Sequence, residues 1–222
     1  MLGARSSHVF ASLAGRPCAE RGSRRALGRV GAMTSLRRIG FDDVNERALF
    51  LMEAADAAAL PSHFVVGSDY FVALVVTDAT KIDTSAISRV ARILLKAGCV
   101  YFCCWGPDCE RVHDIIDGAY ASDGTDIGDR ASTIMTTWHN DESLEEATWF
   151  ALNVAFPDDQ FFDKTEAVVA VAIGSADWSR EIEAALSDPR ALVRRVVNHG
   201  DQRPNHALRA DAPGRRAGHL KR

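Results

Sequence analysis

The chain has 222 residues, of which 47% are hydrophobic and 25% charged, the usual balance of a soluble globular protein. No apolar run approaches the roughly 18 residues that a membrane-spanning helix needs, so we expect no membrane partner. The net charge is −4, but residues 1–33 and 201–222 are basic, which leaves −13 on residues 34–200. Nucleic-acid binding requires a surface with concentrated Lys and Arg side chains. Because residues 34–200 are acidic, nucleic acid is not an expected partner.

We divide the chain into a basic leader (1–33), one α/β domain (34–200) and a basic tail (201–222). The leader is rich in Arg and Ser and nearly free of acids. It is either upstream sequence before a true start at Met33, a disordered basic segment, or an organelle-targeting peptide. The tail has no hydrophobic periodicity and is predicted to be disordered. Four of the five cysteines lie within eleven residues in an apolar setting, which indicates reduced thiols in a cytoplasmic protein rather than a disulfide framework.

Hydrophobic patterning predicts alternating helices and strands within the domain. In chain order the predicted elements are a helix at 42–60, a strand at 70–76, a helix at 83–98, a strand at 99–105, a helix at 107–120, a strand at 132–138, a helix at 143–156, a strand at 166–174, and helices at 175–188 and 188–200. The strands are apolar throughout rather than alternating, which indicates a sheet covered on both faces.

Each connection between predicted strands contains a helix, as parallel pairing requires. We therefore predict an α/β fold, a three-layer α/β/α sandwich with a mostly parallel, Rossmann-like sheet of four to five strands. The pattern does not fix the order of the strands in the sheet.

The ends of the predicted strands supply a candidate ligand site, because open parallel sheets bind ligands outside the carboxyl ends of their strands. The predicted ligand-binding residues are Asp78, Trp105, Trp138, His139, Asn140, Asp141 and Ser175. The alternative is that polar residues collect at strand ends because the helices that follow need caps.

His139 is the best single candidate, because a short connection to the helix cap Ser143 holds it near the sheet. If their strands are neighbours, Asp78 pairs with the imidazole, raises its pKa and fixes its tautomer, which suits proton transfer or a ligand contact. The alternative is a histidine that bonds the helix start and nothing else.

The segment VYFCCWGPDCERVHD contains Cys103, Cys104 and Cys109. Adjacent strand residues face opposite sides, so Cys103 and Cys104 cannot share a ligand, and we predict no metal site. Cys109 is either a buried structural thiol, a metal partner of His113, or a nucleophile with His139 as its base.

His139, Asp78 and Cys109 are the candidate catalytic residues. The chain lacks the glycine-rich nucleotide motifs and the G-x-S-x-G motif of hydrolases, so neither an enzymatic activity nor a cofactor is assigned. The two functional hypotheses are a domain that binds a small molecule at the carboxyl edge of the sheet, and a protein-interaction domain without catalysis.

The predicted helix at 143–156 is apolar nearly all round, which indicates burial on two sides. It lies under the first predicted helix or forms a homodimer contact through Trp149, Phe150 and Val154.

Two segments, CWGPDCERVHDIID and TIMTTWHNDESLEEATWFALNVAFPD, carry a resemblance. With the strands between them, the core at about residues 40–185 resembles a small bacterial family of uncharacterised α/β domains. The resemblance implies a shared fold and no assigned activity, so it supplies no catalytic residue.

Overall fold

The computed structural model describes residues 35–123 and 133–200. The predicted leader and tail, and Cys18 with them, lie outside these residues. The strands are β1 (Leu36–Asp42), β2 (Arg47–Ala54), β3 (Tyr70–Val76), β4 (Cys99–Trp105), β5 (Met135–His139) and β6 (Thr165–Ile173). The helices are α1 (Thr84–Lys96), α2 (Cys109–Asp123), α3 (Leu144–Asn153), α4 (Asp159–Phe162), α5 (Ala176–Ser187) and α6 (Pro189–Gly200). Short 3-10 turns occupy Ala57–Ala59 and Ala79–Lys81.

The six strands form one sheet in the order β1-β2-β6-β3-β4-β5. β1 runs antiparallel to β2, and all other neighbours are parallel. The predicted α/β fold with a mostly parallel sheet is confirmed, with six strands in place of the four to five expected.

The predicted helix at 42–60 is wrong, because this segment contains the end of β1 and all of β2. β2 lies inside the sheet, between β1 and β6, and both of its faces are covered. A strand that is buried on both faces has a continuous apolar run. Hydrophobic periodicity does not distinguish such a run from a short buried helix. Pairing with β1 and β6 therefore overrides the helix propensity of this Ala- and Leu-rich stretch.

Two apolar cores cover the sheet, as the three-layer prediction requires. α1 and α2 pack on one face against residues such as Phe71 and Phe102. α3, α5 and α6 pack on the other face against residues such as Leu49 and Leu74. α3 therefore lies beside α5 and α6 rather than under an N-terminal helix.

Side-chain caps fix where the helices begin. Asp83 accepts a hydrogen bond from the Ala86 N–H at 2.8 Å and begins α1. The predicted capping box at α3 is present: Ser143 Oγ accepts from the Glu146 N–H at 3.1 Å, and the Glu146 carboxylate accepts from the Ser143 N–H at 2.8 Å. These caps hold the helix starts at the carboxyl edge of the sheet.

Candidate functional site

The helices change faces twice along the carboxyl edge of the sheet. α1 and α2, which follow β3 and β4, pack on one face, whereas α3 and α5, which begin after β5 and β6, pack on the other. The carboxyl ends of β3 and β6 are neighbours, and so are those of β4 and β5. Open parallel sheets bind ligands at such switch points, so this edge has two candidate positions.

Between β3 and β6, the predicted site residues act as helix caps. Asp78 accepts hydrogen bonds from the Thr80 backbone N–H (3.2 Å) and from Lys81 Nζ (2.7 Å). The Lys81 ammonium and the Thr80 hydroxyl lower the pKa of Asp78. Ser175 Oγ accepts from the Trp178 N–H at 3.3 Å and begins α5. Asp78 and Ser175 therefore form their hydrogen bonds with the helical turns that directly follow them in the chain.

Between β4 and β5, the buried ring of His139 pairs with an exposed carboxylate. It is the last residue of β5 and is 4% exposed. Its Nδ1 lies 2.6 Å from Glu142 Oε2, and its Nε2 lies 3.2 Å from Thr137 Oγ1. Because an ionised carboxylate only accepts, Nδ1 carries a proton and donates it to Glu142. The ring packs at a steep angle on Phe150, with centroids 4.6 Å apart.

The expected pairing of His139 with Asp78 is wrong. β4 lies between β3 and β5, so the two residues follow strands that are not neighbours. α1 connects β3 to its neighbour β4, and α2 connects β4 to the next strand, β5. β4 therefore lies between the two strands that Asp78 and His139 follow. His139 pairs with Glu142 instead, and Asp78 with Lys81.

Side-chain hydrogen bonds tie the loop after β4 to the loop after β5. Trp105 Nε1 donates to the backbone oxygen of Glu142 at 2.9 Å. Cys109 Sγ donates to Asn140 Oδ1 at 3.0 Å. The position between β4 and β5 therefore gathers four of the predicted ligand-binding residues: Trp105, His139, Asn140 and Asp141.

Trp138 lies outside this group, although it precedes His139 in the sequence. Consecutive strand residues point to opposite faces of the sheet. The Trp138 ring lies against His113 of α2, with centroids 4.6 Å apart, and is on the α2 face. Trp138 is 46% exposed there and does not contribute to the same position as His139.

The thiols show the features of structural cysteines. Cys109 is buried, burial raises its pKa, and its thiol is engaged by Asn140. Both ring nitrogens of His139 have other partners, so no hydrogen bond joins it to Cys109 as a base. Cys99, Cys103 and Cys104 are fully buried. Within residues 35–123 and 133–200, no group of three or more His, Cys, Asp or Glu side chains is arranged to hold a metal ion.

Gly106 explains the turn between β4 and α2. Its φ is +119°, and a Cβ atom there would lie 2.2 Å from the Thr77 carbonyl oxygen. The close approach extends the pairing of β3 and β4 beyond the strands, because the Thr77 N–H donates to Trp105 O (3.1 Å) and the Ala79 N–H to Pro107 O (3.0 Å). This turn carries the loop that contacts Asn140 and Glu142, so it positions one side of the candidate site.

Glu142 and Thr137 were not predicted as partners of His139. Thr137 is two residues before His139 on the same strand and therefore shares its face. Glu142 lies three residues after it, in the loop that leads to the α3 cap. Both spacings were visible in the sequence, but the loop conformation that brings the carboxylate back to Nδ1 was not.

Among the described helices, none is long and apolar enough to cross a membrane. A family model described as Domain of unknown function (DUF7684) matches residues 49–189, which is more than half of the chain. The matched segment runs from β2 to the first residue of α6 and includes the whole carboxyl edge. A search of the curated proteins found no match.

Proposed function

Because the chain belongs to the DUF7684 family, whose description names no activity, we propose from the site itself that the domain binds a small ligand at the carboxyl edge between β4 and β5. The observation that carries the proposal is the exposed Glu142 carboxylate, which the buried His139 ring holds at a switch point of the sheet. Both ring nitrogens of His139 are already engaged, so the ring positions the Glu142 carboxylate and does not itself contact the ligand.

The groups at this position favour a ligand that donates hydrogen bonds. Asn140, Asp141 and Glu142 are exposed there, and their oxygen atoms are acceptors. Asp108, in the facing loop, is a further exposed carboxylate. The negative charge of these side chains repels phosphates and other anions. The ligand class that fits is therefore a small uncharged or cationic molecule with several N–H or O–H groups.

A thermal-shift screen of the full chain tests this proposal. We expect polyamines, amino sugars or amino-acid amides to raise the melting temperature, and nucleotides and sugar phosphates to have no effect. Glu142→Gln should abolish the shift, because it removes the charge and leaves an acceptor for His139. Glu110→Gln is the matched control, since Glu110 is an exposed acid on α2, and it should keep the shift. A screen without any stabilising compound of this class, or a shift that survives Glu142→Gln, contradicts the proposal.

The homodimer proposal through α3 has weaker support. Val154, which follows α3, is 39% exposed, whereas Trp149 and Phe150 are partly buried against the second core. Sedimentation of the full chain tests the proposal. A dimer that Val154→Lys dissociates would support it, and a monomer would contradict it.

A further inference from the structure

The opposite, amino-terminal edge of the sheet has a groove, which we call the amino-edge groove. It consists of three connected depressions with volumes of about 380, 290 and 290 Å³. The first and second share Glu46 and Glu166 in their walls, and the second and third share Val66 and Ser68. The groove therefore crosses the starts of β2 and β6 and continues to the segment before β3.

Exposed apolar side chains are concentrated along this groove. Nine large apolar side chains are exposed among the described residues, and five of them line the groove: Phe41, Val44, Val65, Phe156 and Phe162. Their exposed fractions range from 41% to 73%. Several exposed apolar side chains along one groove are typical of a protein-interaction site, because their burial removes apolar area from water.

The charged groups of the groove are mainly acidic. Glu46, Asp163 and Glu166 are exposed in its walls and form no ion pair within the described part of the chain. Arg47 at its base is 3% exposed, donates to the Ala155 carbonyl oxygen at 3.3 Å and is covered by the Phe156 ring. The cation of Arg47 is therefore engaged within the domain. Lys96 is an exposed cation in the wall of the third depression, whereas the exposed charges of the first and second depressions are carboxylates.

We propose that the amino-edge groove docks an extended segment of a partner protein that combines apolar side chains with Lys or Arg. The apolar side chains cover the exposed aromatic residues, and the basic ones pair with Glu46, Asp163 and Glu166. This charge complementarity disfavours a second copy of the domain, because residues 34–200 carry a net charge of −13. The proposal is independent of the ligand site at the carboxyl edge.

Peptide selection on the full chain tests the proposal. Random peptides of about twelve residues are displayed and selected for binding, since extended segments are a common occupant of grooves on protein surfaces. We expect the selected peptides to combine Lys or Arg with Leu, Ile, Phe or Trp. A synthetic copy of a selected peptide should bind about tenfold more weakly to Phe162→Ser and to Glu166→Lys. Binding should also weaken at high salt, because salt screens exposed charges.

Matched variants separate the groove from general attraction to an acidic protein. Glu110→Lys makes the same charge change as Glu166→Lys on α2, and Val197→Ser removes an exposed apolar side chain on α6. Both should keep the peptide affinity within about twofold. Acidic peptides, or equal losses in the groove and control variants, overturn the proposal.

Two other occupants give different results. A dimer of the full chain that Phe162→Ser dissociates would assign the groove to a second copy. Peptide binding that strengthens when the arginines of residues 1–33 and 201–222 are replaced by serine would assign it to this chain's own basic segments. Either result contradicts a partner segment as the occupant.

Discussion

Thr77, at the carboxyl end of β3, has a buried hydroxyl oxygen without a hydrogen-bond partner among the described residues. It faces an apolar cavity of about 10 Å³, which is about the space of one water-sized probe. Thr77→Val keeps the shape of the side chain and removes the unsatisfied group. We expect the free energy of unfolding, measured by urea denaturation, to rise by about 1 kcal/mol.

Thr148 provides the matched control for this change. It is equally buried, but its Oγ1 donates to the Leu144 carbonyl oxygen at 2.7 Å. Thr148→Val therefore removes a satisfied hydrogen bond and should lower the free energy of unfolding by about 1 kcal/mol. If Thr77→Val is as destabilising as Thr148→Val, then a bound water or ligand pairs with the Thr77 hydroxyl.

Glu46 has a φ of +54°, in the left-handed region, in the turn between β1 and β2. A residue with a Cβ atom is strained there by about 1 kcal/mol, and glycine is not. The gain from glycine is partly offset by the greater freedom of its unfolded chain. Glu46→Gly should therefore leave the free energy of unfolding within about 0.5 kcal/mol of the original, or raise it. Measured by urea denaturation, a larger loss would show that the Glu46 side chain stabilises the turn.

The sequence allowed the residues of the candidate site to be predicted, but not which of them form hydrogen bonds with each other. The sequence placed His139, Asn140 and Asp141 after a strand, and the structure puts them at the carboxyl edge. The partner of His139 was not predictable, because it depends on strand order and on a loop conformation. Asp78 and Ser175 follow the capping alternative, since each accepts a backbone N–H from the element that follows it.

At the scale of elements, the turn between β4 and α2 depends on Gly106. Alanine at this position would combine a φ of +119° with a Cβ atom 2.2 Å from the Thr77 carbonyl oxygen. The turn must move, which breaks the hydrogen bonds that join it to the end of β3. We expect Gly106→Ala to lower the free energy of unfolding by at least about 2 kcal/mol. Gly118 is the control, because no atom lies within 4 Å of a Cβ there, and Gly118→Ala on α2 should be neutral or stabilising. Equal urea midpoints for the two variants would contradict this account.

Elements with long apolar runs were predicted almost to the residue, and the N-terminal hairpin was not. β3 and β4 match the predicted strands, because each is a continuous β-rich run between clear stop signals. β2 was predicted as part of a helix at 42–60, and no element was predicted for the segment that forms β1. The strand conformation of β2 is decided by pairing with β6, which is more than a hundred residues away in the chain, and β1 pairs with β2. Local patterning contains no information about such a partner.

At the scale of the whole molecule, the order of the strands was the main unknown. β6, the last strand among the described residues, inserts between β2 and β3 and creates one of the two switch points. The three layers could be predicted, because the strands are apolar on both faces and a helix lies in each connection between predicted strands. The direction of each crossover depends on long-range packing, so the sequence pattern allowed several orders with the same layers.

The core itself predicts a loss of stability at alkaline pH. Burial raises the pKa of Cys99 and Cys104 well above the ordinary thiol value, and that of Cys103 to about 12. In the unfolded chain these thiols ionise near their ordinary pKa of about 8.5. Between about pH 9 and 12 the unfolded chain therefore binds fewer protons than the folded chain, so the free energy of unfolding falls as the pH rises.

Each such thiol contributes a loss that approaches about 1.4 kcal/mol per pH unit. Urea denaturation at several values between pH 7 and 10 measures the combined slope, to which other groups also contribute. Cys103→Ala isolates one thiol, because the cavity it leaves lowers stability equally at every pH. We expect the slope between pH 9 and 10 to become shallower by about 1 kcal/mol per pH unit in this variant. An unchanged slope would mean that the Cys103 thiol ionises equally readily in the folded and unfolded chain, and is therefore not held protonated by burial.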